Sequence, residues 1–215
     1  MQIGTGFRLQ RIKSVSLGLF LLGLPACESS RTPVLPMTTE ANPGLPNAAP
    51  QRMAHPEYAN WSQFAVGTTV VRYRVVTNEN GKVKETSTLT LTDKSMENLE
   101  VTTQVTVERT GEPIKDNPPE IDRFSRSFSK PAGLSEEFFI LPNLKAKKVG
   151  IEQHEVHGKT VTVDVFEWTE SNEAGPMTVK LWRSDQVPGR IVRQEMFIES
   201  SQTKTVEELL EVTWE

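Results

Sequence analysis

The sequence predicts a mainly β (α+β) fold: a curved antiparallel sheet or half-barrel of about seven or eight strands with a short helical cover segment. Three features of residues 58–215 carry that expectation. Apolar and polar side chains alternate over most of the stretch, which is the period of a half-buried strand. Turn signals recur between the alternating runs: Asn80-Gly81, His157-Gly158, Gly175-Pro176, Pro188-Gly189 and Ser200-Ser201. The one segment without alternation, Pro118 to about Lys147, gathers Phe124, Phe128, Phe138 and Phe139 and is the expected cover for the greasy face of the sheet.

Each element follows from its residues. TTVVRYRVVT groups Val71, Tyr73 and Val75, with Arg72 and Arg74 expected outward. Asn80-Gly81 marks a hairpin into VKETSTLTLTD, which sets Val83, Leu89 and Leu91 opposite Lys84, Thr86, Thr88 and Thr90. In LEVTTQVTVE, Leu99, Val101, Thr103, Val105 and Val107 share one face. Ser135 is the expected cap of a short helix, with Glu136 and Glu137 in its first turn and Pro142 closing it. Beyond it, His157-Gly158 leads into a strand carrying Val161, Val163 and Val165. Then come runs with Met177, Val179 and Leu181, with Val192, Met196 and Ile198, and with Val206, Leu210, Val212 and Trp214.

The first 26 residues read as an export signal. Arg8, Arg11 and Lys13 precede a run from Val15 to Leu24 of about 10 mostly apolar residues, the layout of a secretory leader. A bilayer span needs about 20 apolar residues, so this run is too short to remain as an anchor. Leu24-Pro25-Ala26-Cys27 resembles the bacterial lipobox, with Pro25 in place of the usual Ala or Ser. In lipoproteins of that type the thiol receives a diacylglyceryl group, the leader is cut before the cysteine, and the new amino group is acylated. Two or more acyl chains hold a protein to a membrane stably, whereas one chain does so only marginally. The competing readings of Cys27 are a small buried hydrophobe or a bystander in a secreted chain cut elsewhere. Cys27 is the only cysteine, so the folded part has neither a disulfide nor a thiolate metal site.

Residues 27–57 read as the lipidated cysteine and a tether. Pro33, Pro36, Pro43, Pro46, Pro50 and Pro56 punctuate them and no apolar period survives, so this stretch buries too little to fold. Fully extended, about 30 residues reach on the order of 90 Å. Residues 58–215 then form one β-domain, a size that suits a single core. Loss of the leader removes three basic residues and no acid, moving the formal charge from −4 to about −7. An acidic chain argues against nucleic acid as partner, because phosphate binding needs a basic face.

The sequence offers no catalytic, cofactor-binding or metal residue. His154 and His157 are three apart, which on a strand points them to opposite faces and spoils chelation. Glu136-Glu137 and Glu207-Glu208 are sequence neighbours, and neighbours on a strand do not converge on one substrate. No GxSxG, HExxH, phosphate-binding glycine loop or EF-hand loop is present. Trp61, Trp168, Trp182 and Trp214 are expected in the core or at the sheet rim rather than on an exposed sugar-binding face.

Two stretches carry a family resemblance: Trp61-Ser62-Gln63-Phe64-Ala65-Val66-Gly67 and Trp182-Arg183-Ser184-Asp185-Gln186-Val187-Pro188-Gly189. The chain is similar over about residues 58–215 to a group of uncharacterised bacterial lipoproteins. That resemblance implies a fold akin to the lipoprotein-localisation (LolA/LolB-like) half-barrel, with helices over its concave side and no catalytic residue. The resulting expectation is a non-enzymatic lipoprotein of the cell envelope, joined to the membrane through lipid on Cys27. Its body would contact an envelope protein or an apolar ligand. The runner-up is a carrier of lipid or another apolar ligand, and the third reading an envelope hydrolase or sugar-binding module. Glu28 rather than Asp after the cysteine favours the outer membrane facing the periplasm.

Overall fold

The structure, a computed structural model, describes residues 51–131, 133–172 and 175–214. The leader, Cys27 and most of the expected tether lie outside them. Of that tether, residues 51–57 are described, and they are part of the fold. Arg52–Ala54 is strand β1, paired with Ser127–Ser129 (β7). Pro56–Trp61 is helix α1. His55 caps it, its Nδ1 accepting from Glu57 N at 3.2 Å, and Pro56 occupies the first turn, where its missing N–H costs nothing.

The long strands are β2 (Thr69–Asn78), β3 (Gly81–Lys94), β4 (Asn98–Arg109), β8 (Lys147–Val156), β9 (Lys159–Asn172), β10 (Gly175–Arg183), β11 (Ile191–Ile198) and β12 (Thr203–Thr213). Two short strands, β5 (Lys115–Asp116) and β6 (Glu120–Ser125), both pair with β4. Every pairing is antiparallel, in the order β5–β4–β3–β2–β12–β11–β10–β9–β8. The sheet is curved and does not close. It consists of two meanders joined where the first long strand, β2, meets the last, β12. The hairpin at His157-Gly158 forms as expected, with both residues in the left-handed region. The hairpin between β2 and β3 turns one residue earlier than the Asn-Gly signal suggests, Asn78 pairing Gly81.

The cover segment departs from expectation. Its first part is β6, which extends the sheet, and its second is β7. The helix shrinks to one turn, α2 (Glu137–Ile140), with Glu136 rather than Ser135 at the N-cap position and no side-chain cap. Leu141, the residue before Pro142, is extended (ψ 146°) and ends the helix. Phe138, Phe139, Phe128 and His55 form a chain of ring contacts over this region, with Phe124 touching His55.

Burial corrects two assignments of side. Arg72 is buried, on the same face as Val70, not outward. Across the strands Arg74 meets Glu85 at 3.1 Å, and Arg72 lies 4.0 Å from Glu207. Partners on β3 and β12 are what make an arginine tolerable on that face. In β12 the register slips between Leu209 and Glu211. Leu209, Thr205 and Val212 therefore face the Val70 side, Val206 faces the other, and Leu210 is exposed. A bulge inverts the alternation beyond it, so Val206 and Val212 do not share a face.

The main core joins Trp61 of α1 to Val70, Leu91, Leu99, Val101 and Val212, and also to Val161, Val163 and Val165 of β9. Neighbouring Val165 and Phe166 are both buried, as are Leu181 and Trp182, so β9 and β10 are covered on both faces at mid-strand. A smaller cluster of Met177, Val179 and Ile198 draws in Trp168 and Met196.

Candidate functional site: a buried latch beside an arginine cleft

The two stretches singled out in the sequence meet in space. Asn60, the penultimate residue of α1, is fully buried. Its Nδ2 donates to the carbonyls of Asp185 and Val187, each at 3.1 Å, and its Oδ1 accepts from Gly189 N at 2.7 Å. One amide thus satisfies three backbone groups of the β10–β11 link, which buried backbone requires. Arg72 completes the latch from below, donating from Nη2 to Gly189 O at 2.9 Å. Burial pushes the Arg72 pKa down while Glu207 and Glu57 oppose that. Gly189 is left-handed (φ +67°), and a Cβ there would lie 2.7 Å from Arg72 Nη2 and 3.3 Å from Trp61 Cζ2. Only glycine fits so close an approach.

Beside this latch the surface opens into a cleft of about 390 Å³ between β1, α1, α2 and the β10–β11 link. Arg52, Arg183 and Arg190 line it, facing Asp185 and Glu136, with Met53 and Ile140 as apolar wall. Arg183 Nη1 donates to Ile140 O at 2.8 Å, and Arg190 Nη2 to Pro56 O at 2.6 Å. Arg190 Nε lies 3.0 Å from Asp185 Oδ1, an ion pair without hydrogen-bond alignment. Burial, then the like charge of Arg190, holds the Arg183 pKa down. Arg190 is itself left-handed at φ +63°, an uncommon backbone for a long side chain. Among the described residues that line it, the charged groups are three guanidiniums and two carboxylates, an arrangement that can hold an anion.

Cys27 lies outside the described residues. His154 is on β8 with Nε2 3.0 Å from Glu152 Oε2, and Glu152 also accepts from Trp182 Nε1 at 3.0 Å. His157 is exposed in the next turn. Glu207 and Glu208 diverge, the first toward Arg72 and the second to Arg193 at 2.6 Å. Trp61 and Trp182 are buried, and Trp168 and Trp214 are partly buried. Lys159 Nζ lies 4.2 Å from the centre of the Trp214 ring, a cation–π contact. The sequence does not group the cleft arginines because they come from β1, β10 and a turn; Arg183 lies within the Trp182–Gly189 stretch and Arg190 directly follows it, the one local signal.

The fold thus defines an open antiparallel half-barrel with its first helix latched to a turn of the sheet. No family model and no curated protein matches the chain. Among solved structures it is similar to an exported protein with a YmcC-like fold from Bacteroides fragilis, at 10% identity over 70% of this chain and 97% of that one, TM-score 0.38. A hypothetical protein from Chlamydia trachomatis matches at 10% identity over 77% and 94%, TM-score 0.35. An outer membrane lipoprotein-sorting protein domain from Vibrio parahaemolyticus matches at 8% identity over 69% and 85%, TM-score 0.27. Likenesses this distant carry no argument about activity.

Proposed function

We propose that this protein is a non-enzymatic lipoprotein of the bacterial cell envelope, held by lipid on Cys27, with its β-domain serving as a binding or structural module. The observation that carries the reading is the basic, apolar, Leu-Pro-Ala-Cys order of residues 8–27, followed by a proline-punctuated spacer. Arg72 and Arg74 on the Val70 face lie against Glu207 and Glu85, and Trp61 and Val187 occupy the interior, which suits a binding or structural module. The outer membrane, facing the periplasm, is the location this reading prefers.

Replacing Cys27 with serine tests it. The wild-type chain should sediment with the envelope and carry the mass of its acyl chains at the mature amino terminus. Cys27→Ser should appear in the soluble fraction, and undiminished sedimentation would refute the anchor. A second reading, a carrier of an apolar ligand, draws on Trp168 and Met196, which stand partly exposed beside Met177, Val179 and Ile198 on one face. Native mass spectrometry of the extracted wild-type chain decides it: the carrier reading requires co-purified lipid beyond the covalent acyl mass.

A further inference from the structure

The cleft beside the latch holds three guanidinium groups against two carboxylates, in a chain whose formal charge is −4. A cationic pit on an acidic body selects for anions. Both inner arginines are fixed: Arg183 by Ile140 O and Arg190 by Pro56 O. A guanidinium has five donors, so each retains others after that contact, Arg190 also holding Nε against Asp185. Asp185 pairs with Arg190 Nε at 3.0 Å but its side chain is 76% exposed, and Glu136 is exposed and accepts from Gln51 at 3.2 Å, so both acids are solvated and hold the arginines weakly. The charge of Arg190 lies close enough to disfavour the charged form of Arg183, with Asp185 opposing it in part, and an anion between the two arginines adds to that compensation. Forked donors suit the two oxygens of a carboxylate or phosphate. The other wall is apolar, with Ile140 55% exposed and Met53 half-buried.

We propose that this cleft binds the oxyanion headgroup, phosphate or carboxylate, of an amphiphile whose apolar part lies along Met53 and Ile140. The inference does not rest on lipidation of Cys27.

Calorimetric titration of the full chain in neutral detergent tests this with four probes: hexyl phosphate, hexanoate, inorganic phosphate and hexyl glucoside. At least one of the two amphiphilic anions should bind ten-fold or more tighter than inorganic phosphate, and the glucoside should not bind. Comparison of hexyl phosphate with hexanoate assigns the headgroup. Arg183→Gln should weaken that binding at least ten-fold. Because loss of its bond to Ile140 could disturb the fold, Arg52→Gln and Ile140→Ser, both at exposed positions, provide the independent check. Each should weaken binding several-fold at an unchanged unfolding temperature. The proposal is overturned if the glucoside binds as well as the anions, if inorganic phosphate matches the amphiphiles, or if these substitutions leave binding unaltered.

Discussion

Gly189 is where a backbone constraint and a packing constraint coincide. Its left-handed φ disfavours any side chain, and the space a methyl would need is filled by Arg72 and Trp61. Gly189→Ala should cost about 2–4 kcal/mol, the sum expected of backbone strain and displaced packing, read as a lowered midpoint in urea unfolding. His55 sets a different expectation. Burial is the main reason its pKa falls below 6.5, helped by Arg190 and opposed by Glu57, and its Nδ1 must stay unprotonated to cap α1. Below pH 6.5 the unfolded chain takes up this proton more readily than the folded one. The stabilisation is therefore complete above pH 6.5 and is lost as pH falls through the depressed folded value. Thermal melts from pH 7.5 to 5 should show wild type losing stability faster than His55→Asn, which keeps a capping acceptor but cannot titrate.

At the scale of elements, one irregularity in β12 decides which residues matter. Leu209 precedes the bulge and packs against the main core, while Leu210 is 56% exposed. Leu209→Ala should lose about 1–2 kcal/mol, in proportion to its partial burial. Leu210→Ala should stay within about 0.5 kcal/mol, as exposed positions do; parallel denaturant melts separate them. Helix α1 shows the same dependence on context. Six residues would not hold a helix alone in water. Asn60 and Trp61, tied to the β10–β11 link and the core, hold it in place.

For the whole molecule, the join between β2 and β12 is decisive. Thr69 pairs Thr213 and Thr77 pairs Lys204, so the middle of the sheet forms only when both ends of the domain come together. Such non-local pairing makes folding slow relative to a helical bundle. It also brings the Trp61 and Trp182–Gly189 stretches to one side, where the latch and the cleft are built.

Alternation and turn chemistry are local, so residues such as Leu99–Val107 and His157-Gly158 declared the sheet and its hairpins without help. Phenylalanines between Pro118 and Lys147 announced something other than plain meander strands, but not that β6 would widen the sheet and β7 would pair with β1. Only tertiary structure decided which face of β2 was inside, because Arg72 and Arg74 are compensated there by groups distant in sequence, Gly189, Glu207 and Glu85 among them. It alone revealed the bulge that reverses β12, and it alone gathered Arg52, Arg183 and Arg190 around one opening. Period-two patterning is written in neighbours along the chain. Compensation of a buried charge depends on strands distant in sequence, and that is settled only when they pair.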